Sequence, residues 1–129
     1  MGNLKTLLCV CMCLTSVGGP LRADGFFGER LPFFAECVGR LSAQMEFQWL
    51  MGLPDADRTE AQRAATLDIL QAITPPDQRR AMLHVRISAK RAQWSLLTVA
   101  QFDTEPERSV AAERRATKLL QGCTAVLLS

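Results

Sequence analysis

The sequence predicts an all-α protein, an up-down-up-down four-helix bundle closed by one disulfide. Three observations lead there. Apolar residues recur at three- and four-residue steps in four separate stretches. Proline, glycine and capping residues punctuate those stretches at short intervals, and no stretch alternates apolar and polar between hairpin turns as a strand does. Two cysteines, Cys37 and Cys123, remain near the two ends once an N-terminal export signal is set aside.

The export signal comes first in the chain. Met1 to Lys5 carries one positive charge, and Thr6 to Val17 is an apolar run. Gly18-Gly19-Pro20 breaks that run, and Ala23 offers a small residue for cleavage. This is the layout of a secretory signal peptide over residues 1–23. The run falls short of the ~20 residues that cross a bilayer as a helix; an N-terminal membrane anchor is the alternative. Cys9, Cys11 and Cys13 follow Leu8, Val10 and Met12, whereas lipid attachment wants a small residue before the cysteine. Their apolar surroundings and their removal with the signal argue against a metal cluster. Residues 24–129 then form the domain, with 24–32 an extended lead-in whose Phe26, Phe27 and Leu31 pack back onto the bundle.

The first helix spans Phe33 to Met51, on the stripe Phe34, Cys37, Val38, Leu41, Met45 and Trp49. Gly52 sits where a left-handed cap belongs, and Pro54 prevents continuation. The second spans about Arg58 to Ile73. Asp57 and Glu60 have capping-box spacing, and the expected core contacts are Ala61, Ala65, Ile69, Ala72 and Ile73. Thr74-Pro75-Pro76-Asp77 opens the third helix, with Thr74 as cap and proline tolerated in the first turn. That helix runs to about Phe102, the longest element. One apolar line holds Met82, Val85, Ala89, Ala92, Leu96 and Val99; a second holds Leu83, Ile87, Trp94 and Leu97, as suits a helix touching two neighbours. Arg80, His84, Ser88, Arg91 and Ser95 make its polar face. The fourth helix starts at Thr104-Glu105-Pro106-Glu107, again with capping-box spacing. Ala112, Ala116, Leu119, Cys123, Val126 and Leu127 form its stripe, and Gly122 either ends the regular helix or marks a close contact.

Short connections make consecutive helices antiparallel. Cys37 near the start of the first helix and Cys123 near the end of the fourth then fall at the same level, both on apolar stripes. Two buried free thiols are the rival reading. Once Lys5 and Arg22 leave with the signal, the basic count drops from 15 to 13 against 13 acidic residues. A near-neutral chain has no excess positive charge to hold nucleic acid through its phosphates, nor a polybasic tail for anionic lipid. With 12 Arg and 3 Lys, the composition suggests a bacterial chain of GC-rich coding, for which export means the periplasm or beyond.

Little catalytic chemistry is legible. A single histidine, His84, gives no Glu-x-x-His pairs for a carboxylate-bridged metal site and no second imidazole for zinc. Ser88 lies one turn from it on the same helix, a spacing unsuited to a base oriented by a third group. No glycine-rich phosphate loop is present. The reading is no catalytic residue, no metal and no cofactor. One constellation points to binding. Gln44 and Gln48 lie at the edge of the first helix's stripe, and Arg86, Lys90 and Gln93 lie between the two lines of the third. Level starts for helices one and three place Gln48, Arg86 and Lys90 in one polar layer, with Glu46 as flanking counter-charge. That layer is either a satisfied buried network or a small-anion cleft lined by Gln48, Arg86 and Lys90. Trp49 and Trp94 read as core.

The stretch Glu36-Cys37-Val38-Gly39-Arg40-Leu41-Ser42-Ala43 through Gln48-Trp49, with Arg86-Ile87-Ser88-Ala89-Lys90, resembles small uncharacterised exported proteins of alphaproteobacteria over most of the mature chain. The resemblance agrees with export and a disulfide and implies no activity. The expectation is a non-enzymatic periplasmic bundle that binds another cell-envelope component, with a protein as partner. The alternatives are a small-anion or metabolite binder, or an enzyme.

Overall fold

Pro32 does not delay the first helix. In the computed structural model, which describes residues 30–128, α1 spans Arg30–Met51. Pro32 lies inside that span. Residues 30–32 are therefore helical, not extended, and Leu31 is part of the core. The signal segment, Cys9, Cys11, Cys13, Phe26 and Phe27 lie outside the described residues. The remaining helices are α2 (Ala56–Ile73), α3 (Arg79–Phe102, preceded by a 3-10 turn over Pro76–Gln78) and α4 (Pro106–Ala125). No strand occurs among the described residues.

The helix ends depart from the expected caps. Gly52 does take the left-handed conformation (φ 64°). Its N–H donates to the Trp49 carbonyl and that of Leu53 to the Gln48 carbonyl, which together make a Schellman end. Neither capping box forms. Asp55, not Asp57, precedes α2 and makes no side-chain cap; Thr59 instead donates both its N–H and its hydroxyl to the Asp55 carbonyl. The Thr74 hydroxyl turns back to the Leu70 carbonyl and closes α2 in place of opening α3. Before α4 the acceptor is Asp103, whose Oδ1 takes the Glu105 N–H at 2.8 Å while Arg108 Nε lies 3.0 Å from Oδ2.

That Glu105 N–H bond first, and Arg108 second, hold the Asp103 carboxyl below its ordinary range. A folded value below the unfolded one of about 3.9 means the stabilisation is full above about pH 4 and is lost as pH falls through the folded value. Asp103→Asn is therefore expected to lower stability at neutral pH and to converge on the parent in acid. Urea melts showing a constant difference across pH would reject this.

Directions alternate up, down, up, down. Ser42 meets Arg63 across α1 and α2, and Ser109 meets Ala100 across α3 and α4. Cys37 and Cys123 are bonded with their Cα atoms 5.4 Å apart, so the first and last helices are cross-linked as the stripes predicted. The helices do not share contacts equally. The α1–α3 interface is the most extensive, α2 packs on α1, and α4 packs on α3. Two apolar clusters fill the bundle. One joins Leu31, Phe34, Val38, Leu70 and Met82; the other joins Phe47, Leu97 and Ala116, with Trp94 edge-on to Phe47 at 5.8 Å.

Expected core positions on three helices are exposed, for local reasons. On α2 the buried face is Ala56, Thr59, Thr66 and Leu70, while Ala61, Ala65 and Ala72 face outward. The hydroxyls of Thr59 and Thr66 donate to carbonyls one turn back (3.1 and 2.7 Å), which frees their methyl groups to pack. On α3 the inward row is Met82, Ala89, Gln93 and Leu97, leaving Leu83, Ile87 and Ala92 exposed. Trp49 is 50% exposed. Counting back from the Ser42–Arg63 contact, it stands level with the first residue of α2, beyond which that helix offers no cover.

Gly122 neither ends α4 nor marks a contact: the helix continues to Ala125, and a Cβ at that position meets nothing within 4 Å. Gly122→Ala is expected to stabilise the protein by about 0.5–1 kcal/mol through helix propensity alone. A thermal melt showing destabilisation would mean that a close neighbour exists there.

Candidate functional site

Register decides which polar side chains meet. Level starts for α1 and α3 are a sound expectation, but α1 starts earlier and α3 later than periodicity suggested. The displacement is roughly two turns, about 10 Å at 1.5 Å per residue. Gly39 faces the Arg86 carbonyl and the Lys90 N–H, and Phe47 packs with Leu97 and Trp94. Gln44 and Gln48 consequently stand above Arg86 and Lys90, closer to the level of Gln93 and Leu97.

The three residues expected in one anion cleft are thus separated. Gln48 is buried, with its Oε1 unpartnered. Lys90 is neutralised by Glu46, Nζ to Oε1 2.6 Å, and lines a shallow groove with Ile87 and Trp94. Arg86 lines a different cleft. The buried polar layer lies one level up, where Gln44, Gln48 and Gln93 each carry an unpartnered buried Oε1. Gln93 is 1% exposed, and its Nε2 donates to the Ala116 carbonyl at 3.3 Å.

The Arg86 cleft lies between α2 and α3, two helices that are joined by a short connection yet pack mainly on others. Its volume is about 500 Å³. Leu67, Leu70, Met82 and Leu83 supply apolar walls, Gln71 and Thr74 supply amide and hydroxyl groups, and Arg79 and Arg86 supply charge. No acidic residue lines it. Outside the lining, one turn before Leu67 on α2, Arg63 donates from Nε to the Ser42 hydroxyl at 2.8 Å. Arg63 is thereby held by a neutral group and acts on Arg86 as a like charge.

The consequence for Arg86 is electrostatic. Burial first, and the positive charge of Arg63 second, push its guanidinium below the ordinary value. A guanidinium remains charged at neutral pH even so. Among the described residues neither Arg63, Arg79 nor Arg86 forms an ion pair with a carboxylate, although Arg40, Arg58 and Arg108 each do. A partly buried guanidinium lining an apolar-walled cleft, with a like charge near enough to be felt and no carboxylate in the lining, is an arrangement that an anion completes.

Sequence reasoning found Arg86 but missed Arg63 and Arg79. Arg63 sits among alanines on a helix whose buried face was misread. Only the antiparallel register of α1 and α2 brings it to Ser42. Of the remaining chemistry-bearing residues, His84 and Ser88 are exposed on the polar face of α3. Among the described residues no group of three or more His, Cys, Asp or Glu is placed to hold a metal ion, and no helix is long and apolar enough to cross a membrane. No protein-family model matches the chain, and comparisons with curated proteins and with solved structures find no match either.

Proposed function

We propose that the chain is a non-enzymatic, exported helical-bundle protein that acts by binding, and that it takes a small organic anion into the α2–α3 cleft. The cleft itself carries this reading: Arg79 and Arg86 line it, no acidic residue does, and among the described residues neither arginine pairs with a carboxylate. The signal-like layout of residues 1–23 supports a periplasmic setting. In that compartment the ligand is another component of the envelope or a solute passing through it.

Unliganded, the like charges of Arg63 and Arg86 oppose folding, so Arg86→Met is expected to raise the melting temperature while abolishing ligand-induced stabilisation. A ligand at a hundredfold excess over its Kd stabilises the parent by about 2.7 kcal/mol, several degrees for a domain of this size. Thermal-shift measurements with phosphate and short carboxylates check both. An equal shift in parent and Arg86→Met would reject the cleft as the site.

A second reading, a protein partner, is favoured by one end of the bundle. Trp49 and Leu50 in the last turn of α1 and Leu53 just beyond are exposed, Leu50 at 68%, with Phe102 exposed at the same end on α3. Contiguous exposed apolar side chains of this kind mark contact surfaces. Photo-crosslinking from position 50 to one envelope protein, abolished by Trp49→Ala, would support it. Crosslinks indifferent to Trp49→Ala would reject it.

A further inference from the structure

We propose that the α2–α3 cleft selects an elongated dianion, a molecule with two carboxylate-class ends joined by an apolar middle. This rests on the anion reading above and adds the ligand's shape and charge. Arg79 and Arg86 are seven residues apart on α3. That is two turns along nearly the same face, so their Cα atoms are separated by about 10 Å along the axis. Both line the cleft, and on α3 they are the first and last of its lining residues. Between them stand Met82 and Leu83, faced by Leu67 and Leu70 across the cleft. The order along the wall is therefore cation, apolar, cation.

Each arginine has its own supporting groups. On the Arg86 side the charge of Arg63 is felt, and the Ser42 hydroxyl orients the Arg63 guanidinium through Nε. On the Arg79 side lie Gln71 and Thr74. Because the Thr74 hydroxyl already donates to Leu70, Gln71 is the neutral donor left on that side. A monoanion bound at Arg86 leaves Arg79 uncompensated, and a compact dianion such as sulfate cannot reach both arginines. A rod-shaped ligand with charges about two helical turns apart satisfies both and covers the leucines between.

Titration calorimetry on the purified full chain, disulfide intact, tests this. The probes are succinate, adipate, suberate and sebacate, each against the monocarboxylate of equal carbon number, with inorganic phosphate alongside. The expected result is an affinity maximum within the dicarboxylate series, about fivefold or more over the matching monocarboxylate. Arg79→Gln should erase that preference, bringing dicarboxylate affinity down to that of the matching monocarboxylate. Arg86→Gln should abolish both classes of binding. Equal affinities for mono- and dicarboxylates, affinity rising with carbon number without a maximum, or an unaltered preference in Arg79→Gln would each overturn the dianion proposal while leaving an anion site. Failure of every carboxylate and of phosphate to bind would overturn the anion site as well.

Discussion

Replacing Cys37 and Cys123 together by alanine is expected to lower stability by about 3–4.5 kcal/mol. The upper figure is the loop-closure entropy for a sequence separation of 86, about 4.5 kcal/mol. Relative to a total of about 5–15 kcal/mol for a domain, this is a large share. The distribution of contacts gives it a location. α4 rests mainly on α3 and touches α1 little, so the sulfur bridge is the principal tie between the first and last helices. Both cysteines are buried, which makes alanine a better replacement than serine, whose hydroxyl needs a partner there. Urea melts of the oxidised, reduced and double-alanine forms should show a lower midpoint for the last two. Hydrogen exchange should show the final turns of α4 losing protection before α1 does. Identical midpoints for all three forms would mean the cross-link contributes nothing to holding the bundle together.

The same contact distribution explains what was legible in the residues. The number of helices, their alternating directions and the Cys37–Cys123 link follow from apolar spacing and from Gly52, Pro54 and Pro106, features that act within a few residues of themselves. What was not legible depends on placement between helices. Thr59 and Thr66 look polar in sequence but are buried, because their hydroxyls bond to their own helix. Leu83 and Ile87 look like core but are exposed, because α2 leans on α1 and leaves that side of α3 open. Displaced starts of α1 and α3 changed every cross-helix pairing. That is why Gln48, Arg86 and Lys90 were read as one layer, whereas Arg86 shares a cleft with Arg79 and feels the charge of Arg63. A site built across two helices depends on register to within a turn, and periodicity does not carry that.

Gly39→Ala is the sharpest test of that register. A Cβ added to Gly39 would lie 2.3 Å from the Arg86 carbonyl oxygen, 3.0 Å from the Lys90 amide nitrogen and 3.1 Å from the Ala89 Cβ. Two of those neighbours are backbone, so no rotamer change relieves the overlap, and α1 has to move off α3 along the largest interface in the protein. Overpacking of this kind costs typically about 1–3 kcal/mol. Helix propensity returns about 1 kcal/mol. Because the overlap is with backbone, the upper part of the range applies, and a net loss of about 2 kcal/mol is expected. The clash falls on the carbonyl of Arg86 itself, so the substitution should also displace that guanidinium and weaken anion binding in the cleft. Gly122→Ala supplies the internal control, since it is the same chemical change in the last turn of another helix with nothing within 4 Å. The two variants should shift the melting temperature in opposite directions. If Gly39→Ala stabilised as much as Gly122→Ala, α1 and α3 would not approach at Gly39 and Ala89, and the level that brings Arg86 near Arg63 would be wrong with it.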